Sequence, residues 1–275
     1  MGRSALAAAL LLLALPAAAQ PPTNAWSAVE RPTPGPPRVI GSTALGCLAG
    51  AMQLPFEGPG YQAVRVSRNR HWGHPELIRF VQEFARGAQR QGFPDLWIGD
   101  LAQPRGGPMP WGHVSHQTGL DVDIWLDLGA KPAMSRAQRE EIRVASLVRP
   151  DQSGVDPARF TARHAALIRL AAEHPGVDRV IVNHGIKRSL CTTHRGEAWL
   201  RRVRPWRGHD SHMHIRLRCP ANSPDCREAP PIPAGDGCDA SLDWWLTEEA
   251  RRPPAPAPGP PPALPAACQA LLRAP

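Results

Sequence analysis

Two short stretches of this 275-residue chain concentrate side chains that can hold a metal ion or move protons. In the first, His113 and His116 lie in Gly-His-Val-Ser-His-Gln-Thr-Gly, and residues 119–126 then read Gly-Leu-Asp-Val-Asp-Ile-Trp-Leu. Leu120, Val122, Ile124 and Leu126 alternate with Asp121, Asp123 and Trp125. That period of two predicts a strand with one apolar face and one face offering paired carboxylates. His116 and Asp123 form a His-x6-Asp string, with Gly119 between them to let the loop turn back toward the strand. In the second stretch, residues 212–217 read His-Met-His-Ile-Arg-Leu. His212, His214 and Arg216 share one strand face, Met213, Ile215 and Leu217 the other, and His209 can reach the same place from the preceding loop. Imidazole with carboxylate is the usual donor mix of a catalytic zinc, which keeps one position open for water. The joint pattern predicts a metal site. His71, His74, His164, His174, His184 and His194 lack such a setting and are read as structural. No Gly-x-Ser-x-Gly elbow, Ser-x-x-Lys or His-Glu-x-x-His is present, so neither an acyl-serine nor a thermolysin-type zinc helix has sequence support.

The elements that must position these groups can be read around them. Helical spacing of Leu77, Ile78, Phe80, Val81, Phe84, Ala85 and Ala88 predicts an amphipathic helix over 75–90. Residues 96–100 read as a short buried strand, 165–172 as a second helix ended by His174-Pro175-Gly176, and the β-branched run 177–183 as another strand. The expectation is an α+β fold. A single domain carries the metal site on a central, mostly antiparallel sheet flanked by helices, with proline-rich N- and C-terminal arms tied down by disulfides.

Composition supports a packed domain with unusual ends: 42% of residues are hydrophobic, 20% are charged, and prolines number 33. Prolines cluster over 20–40, read as an N-terminal arm, and over 251–275, read as a C-terminal strap, leaving 41–250 as the single domain that carries the metal site. Cys268 and Leu271-Leu272 follow the strap and would tie it back. Only Lys131 and Lys187 are lysines, so the net charge of +8 rests on arginine. No Lys/Arg block interleaved with aromatics appears, and nucleic-acid binding is not expected. Residues 1–19 have a cationic start, an Ala/Leu run and a small-residue end, the architecture of a secretory signal peptide. After its removal no segment is long and apolar enough to span a bilayer. Cys47, Cys191, Cys219, Cys226, Cys238 and Cys268 are even in number and exported, with no CxxC pair, which favours three disulfides over a zinc cluster. Six cysteines allow 15 pairings. Cys219 and Cys226 could close a small loop, and spacing leaves the rest open.

The strings 115–124 (Ser-His-Gln-Thr-Gly-Leu-Asp-Val-Asp-Ile), 203–206 (Val-Arg-Pro-Trp), 209–220 with His209, His212, His214 and Cys219-Pro, and Gly73-His-Pro-Glu-Leu together resemble the penicillin-insensitive murein endopeptidases. That family is similar to the wider lysostaphin/D-Ala-D-Ala/hedgehog-type metallopeptidases, which share His-x6-Asp and His-x-His. The resemblance implies zinc held by His116, Asp123 and His214, with His113 also at the metal site and His212 and His209 as active-site histidines. It implies the disulfides Cys47–Cys268, Cys191–Cys238 and Cys219–Cys226. It further implies a periplasmic enzyme that acts on peptidoglycan, cutting the D-alanyl–meso-diaminopimelyl cross-link. Some members carry a peripheral second metal on an Asp and a His. Here Asp151 matches the Asp, but the next histidine is His164, a departure from that pattern. Two rival functions share the motif: a D,D-carboxypeptidase or dipeptidase of the same group, and a wall-binding protein with a structural metal.

Overall fold

Pro75 at the first helical position and His74 accepting the Glu76 N–H start a helix whose seven apolar residues at helical spacing are all buried. A computed structural model places this helix, α1 (Pro75–Arg90), within a fold described for residues 22–252, 259 and 262–275. The predicted leader and most of the proline run of the strap lie outside the described residues. In chain order the strands are β1 (Arg38–Ser42), β2 (Leu45–Ala49), β3 (Met52–Gln53), β4 (Glu57–Gly58), β5 (Tyr61–Ala63) and β6 (Trp72–Gly73). There follow β7 (Leu96–Ile98), β8 (Asp121–Trp125), β9 (Val177–Asn183), β10 (Val203–Trp206) and β11 (His212–Leu217). The remaining helices are α2 (Arg136–Glu140), α3 (Ala162–Glu173), α4 (His184–His194), α5 (Ala240–Trp244), α6 (Glu248–Arg251) and α7 (Ala266–Arg273).

Seven strands form the central sheet in the order β10-β9-β11-β8-β7-β5-β4. The pairs β10/β9 and β7/β5 are parallel and the other four antiparallel, so the α+β expectation of a mostly antiparallel sheet holds. β8 and β11 lie side by side near its middle. Val122, Ile124, Met213, Ile215, Val180 and Val182 point to one face and join the core with α1 and α3. Burying each such side chain contributes about 1.5–3 kcal/mol. The opposite face carries the aspartates, the histidines and Arg216, and it is covered too: Asp121 and Asp123 are as buried as their apolar neighbours. No helix among the described residues is long and apolar enough to cross a membrane.

Two boundaries shift. The strand read over 96–100 ends at Ile98, because the chain then leaves the sheet to bring Asp100 and Leu101 over the site. The helix read over 165–172 runs from Ala162 to Glu173, since His164 Nδ1 accepts the Thr161 N–H at 3.0 Å and holds the first turn.

The arms meet in a second, smaller core of Trp26, Ile40, Cys47, Cys268 and Leu271. Arg105 fastens the C-terminus by donating to the carbonyls of Leu271, Leu272 and Ala274. The three disulfides are Cys47–Cys268, Cys191–Cys238 and Cys219–Cys226, with Cα separations of 5.5–5.8 Å. They staple the C-terminal helix to β2, α4 to the 236–239 loop, and the loop that follows β11.

Candidate metal centre

The register of β8 against β11 sets His214 opposite Asp123, His212 opposite Trp125 and Arg216 opposite Asp121. Opposed residues share a sheet face, so the two chemistry-bearing strands present their polar sides together. His116 arrives from the loop, with its backbone in the left-handed region (φ 67°). A non-glycine residue held there is uncommon and costs of order 1–3 kcal/mol. The Asp121 carboxylate offsets part of that cost by accepting the His116 backbone N–H at 3.0 Å. Gly119 (φ 68°) makes the return possible: a Cβ there would lie 2.4 Å from Leu48 Cδ2 and 2.9 Å from the His74 nitrogen.

The hydrogen bonds fix which ring nitrogens keep lone pairs. His116 Nδ1 lies 2.7 Å from the Leu101 carbonyl, which can only accept, so Nδ1 carries the proton and Nε2 the lone pair. His214 Nε2 lies 3.0 Å from Asp121 Oδ1, which leaves His214 Nδ1 with a lone pair in the neutral ring. These two bare nitrogens are 3.1 Å apart, and Asp123 Oδ1 lies 3.5 Å from the first and 3.4 Å from the second. Asp123 Oδ1 is buried and has no hydrogen-bond partner among the described residues. Three electron-rich atoms therefore converge in one triangle. A tetrahedral ion with bonds of about 2.0–2.1 Å sets neighbouring ligand atoms about 3.3 Å apart. The triangle fits such an ion.

His113 adds a fourth donor. Its Nε2 lies 3.0 Å from Asp100 Oδ2 and its Nδ1 3.6 Å from Asp123 Oδ2, and His113, His116 and Asp123 offer ligand atoms all within 4.8 Å of one another. Burial alone raises the Asp100 pKa, but the hydrogen bond and charge of His113, with Arg68 and Arg70, outweigh it and hold the carboxyl well below the usual range. Asp123 is likewise held far down, burial being outweighed chiefly by His116 and His212. Burial pulls His214 down, yet Asp121 and Asp123 reverse that effect and its pKa ends above the ordinary value.

His212 stands beside this cluster rather than in it: its Nε2 is 3.9 Å from Asp123 Oδ1, and its buried Nδ1 has no hydrogen-bond partner among the described residues. Its ring packs against Trp125 at 5.2 Å between centroids. His209, also left-handed (φ 53°), lies 5.0 Å from the His212 ring and 5.9 Å from the His214 ring, and its Nδ1 donates to the Arg207 carbonyl at 2.7 Å. Burial, then the neighbouring His212 and His214, pull the His209 pKa down to about 3. A cleft of about 580 Å³ opens over the centre, with His113, His209 and His214 in its wall.

A family model of the penicillin-insensitive murein endopeptidases matches residues 39–273. The chain belongs to this family. Penicillin-insensitive murein endopeptidases from Salmonella heidelberg (strain SL476), Salmonella paratyphi B and Salmonella enteritidis PT4 are each 44% identical to it over 248 residues, 90% of either chain. As a member of a murein endopeptidase family with a His/Asp metal site, the chain brings together all six residues singled out from its sequence. The histidines read as structural that lie outside this site have structural partners: His74 caps α1, and His71 pairs with Gln53 and packs on Phe56. His164 engages Thr161 through Nδ1 and the Leu126 carbonyl through Nε2, so it has no nitrogen to share with Asp151 in a second metal site.

Three residues of the murein endopeptidase site were not given roles from sequence. Asp121 orients both His116 and His214 and is itself held by Arg216 Nε at 2.7 Å. Asp100 orients His113. Asp121 was legible as a second carboxylate on the ligand face. Asp100 carried no signal, because it reaches His113 only through the placement of a different strand.

Proposed function

We propose that this murein endopeptidase is zinc-dependent, is exported to the periplasm, and hydrolyses the D-alanyl–meso-diaminopimelyl amide that cross-links the peptide stems of peptidoglycan. The observation that carries this reading is the triangle of His116 Nε2, His214 Nδ1 and Asp123 Oδ1, electron-rich and spaced for a small tetrahedral ion. Zinc would be held by His116, Asp123 and His214, with His113 at the same centre. Nitrogen with carboxylate oxygen is a zinc-type donor set. When bound, zinc supplies a Lewis acid that polarises a carbonyl and brings the pKa of water to about 7.

The chain's own groups do the rest. Leu101 and Asp121 keep the ligand imidazoles in one tautomer, the outer support that metal sites depend on. His212 has a buried nitrogen without a hydrogen-bond partner among the described residues, beside the carboxylate, which suits it to take a proton or donate to a developing oxyanion. His209, neutral in its buried setting with its Nδ1 proton on the Arg207 carbonyl, positions that ring, and its Nε2 would first take up the proton drawn from water before passing it to the leaving amine. No step needs an acyl-serine, the species that β-lactams trap, which accords with penicillin insensitivity. Three disulfides suit an oxidising compartment.

Digestion of purified cross-linked muropeptide dimers tests this. Release of monomers that stops with a chelator and returns with zinc is the expected result. Free D-alanine without monomers would identify a D,D-carboxypeptidase instead, and unchanged dimers that still bind would identify a wall-binding protein.

A further inference from the structure

The cleft over the metal centre has a second, cationic end. Arg179, Arg204, Arg207 and Arg216 line it, and no carboxylate does. Two of the four are already paired with carboxylates, and a third is covered by aromatic rings. Arg216 Nε donates to Asp121 at 2.7 Å. Arg179 Nε donates to Asp178 at 2.6 Å, and its other arm to the Pro230 carbonyl. Arg207 lies over the rings of Trp244 and Trp245, although its buried Nε has no hydrogen-bond partner among the described residues. Arg204 has none of these: among the described residues its half-buried guanidinium makes no hydrogen bond, ion pair or ring contact. The carboxylate that acts on it from a distance, Asp239, is solvent-exposed and caps α5 by accepting the Ser241 N–H at 2.9 Å.

The fold braces this arginine. Arg204 lies on β10 opposite Ile181 of β9, and Ile181 lies opposite His214 of β11. His214, Ile181 and Arg204 therefore form one row across the site face, and two interstrand steps span about 10 Å. An extended peptide covers about 3.3–3.6 Å per residue, so the guanidinium sits within roughly three residues of a bond held at the metal centre. Gly237 leaves room beside it: a Cβ there would come 2.8 Å from Arg204 Nη1. The loop around Gly237 is pinned by Cys191–Cys238 and by the buried Lys187, whose Nζ donates to the Asp236 carbonyl at 2.6 Å.

We propose that Arg204 is a specificity-determining residue that binds a free carboxylate of the peptide stem, beside the already neutralised Arg179. The proposal rests on the reading of the centre as a peptidoglycan cross-link hydrolase. Two substrate carboxylates could fill the role. One is borne on the carbon attached to the scissile nitrogen in the diaminopimelyl residue, and the other ends the stem.

Calorimetry with uncleaved muropeptide monomers tests the recognition without relying on catalysis. Four probes are needed: both carboxylates free, the diaminopimelyl carboxylate amidated, the terminal one amidated, and both amidated. A hydrogen bond to a charged group is worth about 1.5–3 kcal/mol, so amidating the recognised carboxylate should weaken binding by about 10- to 100-fold. The single amide that reproduces the loss names the source. Arg204→Ala should abolish the discrimination by lowering affinity for the acid alone, and Arg204→Lys should restore part of it. In dimer cleavage the same discrimination should appear in KM rather than kcat. If the wild-type protein binds acid and amide equally, or if Arg204→Ala weakens both alike, the assignment is wrong and Arg204 merely supports the 236–239 loop. The wild-type comparison decides even if Arg204→Ala does not fold. Binding preference without dimer cleavage would instead break the hydrolase reading and leave the carboxylate site standing.

Discussion

His116 and His214 each spend one ring nitrogen on a fixed acceptor, the Leu101 carbonyl and Asp121, and turn the other toward Asp123. On the same face, His212 keeps a buried nitrogen with no partner among the described residues, and the His209 ring donates to the carbonyl of Arg207. Depth alone does not separate the pairs, since all four rings are largely shielded from water. What separates them is outer support. A ligand must present one lone pair along one direction, whereas a group that moves protons needs a nitrogen left uncommitted. The contrast yields its sharpest test in His214→Ala. That change should leave the protein without stoichiometric metal and reduce cross-link cleavage to background, as checked by plasma mass spectrometry and muropeptide digestion. Retention of full metal content would remove His214 from the ligand set.

His212→Ala probes the other pair. Metal content should stay near one per chain while kcat falls by about 10²–10⁴-fold, the range of a lost general acid or base. If metal falls as far as in His214→Ala, the two pairs are not distinct, and His212 is a ligand.

These positions were legible in the sequence because strand periodicity puts i and i+2 on one face, so His212 and His214, or Asp121 and Asp123, need no tertiary knowledge to be grouped. Pairing the two strands was the step that the motif resemblance supplied, and the antiparallel register of β8 and β11 then follows from both faces matching. The parallel pairs β10/β9 and β7/β5 had no such signal, since apolar runs of three or four residues do not state their neighbours. Spacing suggested only the Cys219–Cys226 loop, and the full disulfide pairing came from the resemblance. Arg204 appeared only inside the string Val-Arg-Pro-Trp, because its lack of a partner is a property of the packed cleft.

Asp121→Asn sharpens the comparison from the supporting side. Asp121 is fully buried, and one carboxylate serves His116, His214 and Arg216. An amide can accept from only some of these and presents an NH₂ to the rest. Removing such outer support typically costs 10–100-fold in metal affinity. Competition against a chromogenic chelator should show that loss, and activity should recover when zinc is raised. Activity that stays low at saturating zinc would mean that Asp121 acts in the reaction itself.

Asp100→Asn should have the smallest effect on cleavage. It supports His113, the most exposed of the four donor residues, and the asparagine oxygen can still accept from His113 Nε2. A loss in metal affinity of about tenfold, the low end of the range for outer groups, is expected. Its larger effect is on stability, because Arg70 is buried against Asp100 at 2.9 Å and would lose its counter-charge. Breaking a buried pair from one side costs about 3–5 kcal/mol. The pH dependence follows from the direction of the shift. Asp100 is held below its unfolded value of about 4, so its contribution is complete above pH 4 and is lost as the pH falls toward the folded value. Denaturant unfolding of the metal-free proteins should therefore show wild type well above Asp100→Asn from pH 7 to about 5, with the two curves converging below pH 4. Curves that stay parallel through that window would show that the carboxylate's charge is not what stabilises this end of the site, and that His113 is held by packing alone.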